Sequence, residues 1–164
     1  LLRVAKENVM PLPNNALVLV TDGRKLLLLR NHGDAAQIDL RVERHDERSD
    51  QKNGEMTTDA PGTNQQSGGY GRTAYEETDF HQLEEDRWAK QAAERVNARA
   101  LRNDFDALAI IAPPRTLGEL RKCLHKAAAS KVVCEIDKEM TGRPIADIEA
   151  LLVAHTARAA LADV

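Results

Sequence analysis

Aromatic residues make up only 3% of this chain. Its core must therefore be built from Leu, Ile, Val and Ala, a composition that fits helices packed on a sheet. Cysteine is scarce as well. The two present, Cys123 and Cys134, sit in segments of apolar periodicity and read as buried free thiols of a reducing cytosol. Cys123 with His125 offers two metal ligands, and two residues make no zinc motif. No apolar run approaches the length of a membrane span, and no charged-then-apolar signal opens the chain. An excess of positive charge is missing too. The formal charge is -3 and the pI about 6.0, so no global basic field announces nucleic acid, although a local patch stays open. The expectation is a cytoplasmic protein without membrane insertion.

What is present fits one domain. A chain of 164 residues has room for a single substantial core. Residues 1–15 read as an N-terminal extension, with Met10 the expected natural start. Residues 16–162 read as one α/β domain interrupted by a long polar loop at 44–78. Ala16 to Thr21 (ALVLVT) is a short buried strand. Asp22-Gly23 is a tight-turn dipeptide, and Lys25 to Arg30 (KLLLLR) returns as the second strand. Gln37 to Glu43 (QIDLRVE) alternates, with Ile38, Leu40 and Val42 facing one way, as a third strand with one wet face.

From Arg44 to Thr78 periodicity vanishes, and a loop of that length inside a domain is usually functional or disordered. Order returns with a helix capped by Asp79, with Gln82 completing a capping box. Its inner stripe is Ala89, Ala92, Ala93, Val96 and Ala100, with Trp88 beside them. Phe105 to Ala112 is a fourth strand ended by Pro113-Pro114. Thr116 and Glu119 form a second capping box, opening a helix whose stripe is Leu117, Leu120, Leu124 and Ala127. Lys131 to Ile136 is the fifth strand. Pro144 opens the last helix, with the stripe Ile145, Ile148, Leu152, His155 and Ala159. The order is βββαβαβα. Helical crossovers demand parallel pairing of the later strands, which predicts a ribonuclease H-like, five-stranded mixed sheet with helices on both faces.

A nuclease would need carboxylates converging on magnesium. Asp22 ends the first strand, and Glu84 or Glu85 could approach it. The fourth strand, however, ends in Ala112-Pro113-Pro114, where that chemistry requires an acid, so Asp22 reads better as a turn residue. His155 reads as a core histidine. His32, His45, His81 and His125 are scattered and propose no metal set, and Ser67 and Ser130 have no evident His/Asp partners. Arg115, Arg121, Lys122, Lys126 and Lys131 line the second helix and its flanks. They are either a solvated helix face or a local phosphate-contacting surface. The stretch QQSGGYGRTAYEETDF is a second candidate. Gly68 and Gly69 let backbone approach a partner closely, Arg72 can pair with phosphate, and Tyr70 or Tyr75 can stack on a base. A flexible linker whose tyrosines cover the core edge is the plain alternative. No residue is assigned a catalytic or metal-binding role, and no cofactor is expected.

The segments LVLVTDGRKLLLLRNHGD, RTAYEETDFHQLEEDRWAKQAAERVN, FDALAIIAPPRTLGELRKCLHK and EIDKEMTGRPIADIE together resemble the bacterial host attachment protein family ("protein required for attachment to host cells"), from about Met10 to Val153. That family is in turn similar to the middle domain of archaeal and eukaryotic class-1 release factors. There, a Gly-Gly-Gln loop precedes a long helix and promotes hydrolysis of peptidyl-tRNA on the ribosome. The resemblance implies that Gly68-Gly69 is the loop tip. The third position is Tyr70, not glutamine. The leading expectation is a binding module that engages ribosome or tRNA through Gly68, Gly69, Tyr70, Arg72 and Tyr75, with Arg115, Arg121, Lys122 and Lys126 as a basic surface. The alternatives are a peptidyl-tRNA ester hydrolase, or a protein-interaction module in a host or surface attachment pathway with an unidentified protein partner.

Overall fold

The structure is a computed structural model and describes residues 11–49 and 74–162. Five strands form one sheet in the order β3-β2-β1-β4-β5. They are β1 (Leu17–Thr21), β2 (Lys25–Asn31), β3 (Leu40–Glu47), β4 (Leu108–Ile111) and β5 (Val132–Ile136). The helices among the described residues are α1 (Ala74–Leu101), α2 (Pro114–Cys123), the one-turn α3 (Lys126–Ala129) and α4 (Ile145–Ala162). β1 pairs antiparallel with β2 and β2 with β3, whereas β1, β4 and β5 run parallel. The expected mixed sheet is therefore present.

Both faces of the sheet are covered, which explains why β1 and β4 are continuously apolar. Leu17, Leu19, Leu108 and Ile110 pack with Ala89, Ala92, Ala93, Val96 and Ala100 of α1, Leu117 and Leu120 of α2, and Ala128 of α3. Alternate residues Val18, Val20, Ala109 and Ile111 point to the other face, against Ile148 and Leu152 of α4. Leu12 joins this second cluster and is buried, so this one side chain of the expected N-terminal extension packs against the sheet, while Pro11, Pro13, Asn14 and Asn15 are exposed. The Leu12 carbonyl accepts a bond from Asn31 Nδ2 at 3.2 Å. Residues 1–10, including Met10, lie outside the described residues.

Four boundaries differ from the expectation. β4 is Leu108–Ile111 rather than Phe105 to Ala112. β3 begins at Leu40 and runs to Glu47 instead of ending at Glu43. Val42 pairs with Leu29, the register shifts between Leu28 and Leu29, and Val42 is 45% exposed. The strand is held by backbone bonds on an edge rather than by a buried face. α1 begins at Ala74, so Asp79 lies inside the helix and is not its cap. The second helix is split. α2 starts at Pro114 with no side-chain cap, which leaves Thr116 inside it, and Leu124 is extended (φ -71, ψ 132). Asn97 of α1 satisfies the break: its Nδ2 donates to Cys123 O (3.1 Å), and its Oδ1 accepts from His125 N–H (2.8 Å). No helix among the described residues is long and apolar enough to cross a membrane.

Candidate functional site

The carboxyl ends of β1 and β4 meet where the chain turns outward in opposite directions, to β2 from one and to β5 from the other. Open α/β sheets bind ligands at such a switch point. Here a cleft of about 290 Å³ is lined by Asp22, Glu85, Pro113, Arg115 and Glu139, among others. Asp22 is fully engaged in structure. Its Oδ1 accepts the N–H groups of Arg24 and Lys25, both at 2.7 Å, and its Oδ2 accepts Thr141 Oγ1–H at 2.6 Å. It closes the β1–β2 turn and ties that turn to the segment before α4. A Cβ at Gly23 would stand 2.6 Å from Glu85 Cγ, so the α1 side chain lies directly on the turn. Glu84 pairs with Arg87 at 2.9 Å and approaches Arg48 at 3.9 Å. Among the described residues no three His, Cys, Asp or Glu side chains stand together as a metal-holding group.

The basic residues of the second helix are spread out and mostly balanced. Arg115 pairs with Asp86 at 3.2 Å, Arg121 with Glu135 at 2.5 Å, and Lys122 with Glu119 at 2.8 Å. The Glu119 hydrogen bond and charge raise the Lys122 pKa. Lys131 donates to Phe105 O at 2.9 Å and sits 5.2 Å over the Phe105 ring. Lys126 is exposed on α3. His155 is half-buried, and burial, with the charges of Arg158 and Lys138, lowers its pKa, which keeps it neutral at pH 7.

Gly68, Gly69, Tyr70 and Arg72 lie outside the described residues, and Tyr75 is described only as backbone in the first turn of α1. Both flanks of that segment are well defined, however. Arg48 N–H donates to Arg24 O at 2.6 Å, which brings the end of β3 beside the β1–β2 turn. Glu85 brings α1 to the same turn. α1 has 28 residues, about 42 Å of helix. Its described residues become continuously core-facing only from Ala89, so the N-terminal turns run past the sheet edge. These turns are acidic (Asp79, Glu84, Glu85, Asp86) and carry Leu83, which is 48% exposed.

Sequence reasoning missed a different set of charges. Arg95 and Arg99 on α1, with Arg102 in the turn just after it, face Arg44 of β3 across a groove. The spacing was visible. The opposing wall was not, because it depends on the β2–β3 register shift.

A family model described as "Bacterial archaeo-eukaryotic release factor family 12" matches residues 15–152. That description concerns release factors and says nothing of attachment to host cells. No curated protein matches.

Proposed function

Because this chain belongs to the bacterial archaeo-eukaryotic release factor family 12, we propose that it is a release-factor-like module binding ribosome or tRNA through the segment that bears Gly68 and Gly69. The observation that carries the reading is the position of the two flanks. Arg48 meets the β1–β2 turn and Glu85 of α1 lies on it, so the segment leaves beside that turn and rejoins the fold at Ala74, the head of a 28-residue helix that begins about 16 Å before Glu85. Gly68-Gly69 permits close backbone approach, Tyr70 and Tyr75 offer stacking faces, and Arg72 offers a phosphate fork. Arg115, Arg121, Lys122 and Lys126 serve as a secondary basic surface. Exposed ion pairs are worth about 0–1 kcal/mol, so exchanging Glu119 for a phosphate at the 72% exposed Lys122 costs little, whereas Glu135, only 13% exposed, holds Arg121 more firmly. Tyr70 at the glutamine position makes the module a binder first. Peptide release would need water held by backbone groups alone.

Co-sedimentation with purified bacterial ribosomes over a salt series, beside a Gly68→Pro, Gly69→Pro variant, tests the reading. Salt-sensitive binding lost in the variant supports it, and peptide release from peptidyl-tRNA is then assayed. Absence of binding at low salt refutes it. The acidic turns of α1 with exposed Leu83 favour a second reading, a protein partner in a host or surface attachment pathway. That reading predicts a pull-down partner that survives nuclease treatment and is lost on Leu83→Asp.

A further inference from the structure

The acidic head of α1 repels phosphate, so a ribosome- or tRNA-binding module of this shape needs cationic surface elsewhere. The structure provides it along the other half of the same helix. Arg87, Gln91, Arg95 and Arg99 recur every four residues, which puts them on one side of α1, and Arg102 follows in the turn just past its end. From Arg87 to Arg99 the row is about 18 Å long. It faces β3 across a groove of about 480 Å³ that has Leu28 at its floor, Arg44, Arg95, Arg99 and Arg102 on its walls, and Glu94 as the one lining carboxylate.

Carboxylates beneath the groove pair with three of these arginines, Arg44, Arg95 and Arg99. Asp46 is shared, 2.6 Å from Arg44 and 3.5 Å from Arg95. Arg99 is braced by Glu43 at 2.6 Å and Asp104 at 3.3 Å. The Arg44 and Arg95 side chains remain 43% and 39% exposed, and Arg102 is exposed. Charges on an edge strand also discourage edge-to-edge pairing, which accounts for the alternating signs on β3. It does not account for a row of one sign on the facing helix. Guanidinium is the side chain that matches phosphate oxygens in paired hydrogen bonds, and a row of them suits a polyanion rather than a single small anion.

We propose that the groove between α1 and β3 is a track for the phosphate backbone of RNA. The inference rests on the ribosome-or-tRNA reading and assigns it a surface. The track runs toward the end of the domain where Arg48 and Glu85 meet the β1–β2 turn.

The test uses the full chain with Arg44, Arg95 and Arg102 all changed to Gln, the same positions all changed to Lys, and the Gly68→Pro, Gly69→Pro variant. Binding to purified ribosomes and to free bulk tRNA is measured over a salt series. Each lost phosphate contact lowers the log–log salt slope by about 0.7 on single strands, so the glutamine variant should lose about 2 from the slope. The lysine variant should keep most of it. Circular dichroism melts confirm that the variants fold, since these side chains are exposed. Wild-type binding that is abolished by the proline variant yet unchanged in slope by the glutamine variant overturns the groove and leaves the proposed function standing. No ribosome binding by wild type, with tRNA binding lost in the glutamine variant, upholds the groove and overturns the ribosome reading. Binding to neither RNA overturns both, and so does binding to polyglutamate in place of RNA.

Discussion

Replacing Arg30 with methionine removes the most connected charge in the described fold. Arg30 lies on β2 and is 7% exposed. Its guanidinium donates to Glu43 on β3 (3.2 Å to each oxygen), to Asp104 Oδ2 (2.6 Å), and to the carbonyls of Asp104 (2.8 Å) and Asn15 (3.2 Å). One side chain thus joins β2, β3, the approach to β1 and the approach to β4. Removing one partner of a buried pair costs about 3–5 kcal/mol. Here the carboxylates are about a third exposed (31% and 35%) and both keep Arg99, which lowers that figure, while two carbonyls lose donors at about 1 kcal/mol each. The sum is about 2–4 kcal/mol, read as a lower urea midpoint at unchanged m. The Arg30 hydrogen bonds lead the effects that hold Glu43 and Asp104 below their ordinary values of 4.5 and 3.8. Groups with depressed folded pKa stabilise above their unfolded pKa and lose that contribution as pH falls through the folded one. Wild-type stability should therefore drop on acidification below about pH 5, and the methionine variant should drop less, so that the gap narrows. A loss under about 0.5 kcal/mol at pH 7, the scale of an ordinary surface substitution, or a gap that stays constant down to pH 3 would refute the network's assigned role.

Two further outcomes follow from buried groups. Asn97→Ala should destabilise by about 1–3 kcal/mol, because Cys123 O and His125 N–H lose the side chain that satisfies them at the α2–α3 break. Denaturant unfolding checks the value, and a neutral result would mean that the break is sustained without this clamp. Burial, with the Glu135 charge, pushes the Cys134 thiol up to about 12, whereas Cys123 is partly exposed. Ellman's reagent at pH 8 should therefore titrate Cys123 in the native protein and Cys134 only after unfolding, and rapid native labelling of Cys134 would contradict its placement.

Elements buried on both faces were legible because their pattern is their burial. ALVLVT, KLLLLR and KVVCEI fall within a residue of β1, β2 and β5. The third strand was displaced because RVERHDE has no apolar periodicity: backbone pairing to β2 holds it, and a register shift at Leu28/Leu29 is invisible in side-chain type. The early start of α1 was missed although Thr73, with Glu76 three residues on, offers a capping-box pattern, because Asp79 with Gln82 offers a second such pattern closer to the apolar stripe. At the site, the Asp-Gly dipeptide identified Asp22 as a turn residue. The partners of Arg115 and Arg121 were not readable, since Asp86 and Glu135 are distant in sequence. Glu119 beside Lys122, three residues apart on one helix, could have been inferred.

The groove and the packing of α1 have one origin. The face of α1 toward the sheet carries small residues, Ala89, Ala92, Ala93, Val96 and Ala100, which let the helix lie close over β1 and β4. Trp88 Nε1 fixes its height at the start of β2 by donating to Lys25 O at 3.3 Å. The neighbouring face carries arginines too long and too strongly charged to be buried, so the helix cannot settle onto β3 as well. Arg44 and Asp46 of β3, which in a fully covered sheet would be apolar, are charged in the same way and keep the gap hydrated. Two opposed rows of charge on one strand and one helix thus leave the β3 flank of the sheet uncovered on that face, while Glu43 and Asp104 hold its far end rigid through Arg30 and Arg99. A fold optimised only for stability would have closed this flank with aliphatic side chains, each contributing about 1.5–3 kcal/mol on burial. That this chain keeps arginines there instead is the physical reason to test the proposed polyanion binding on this face.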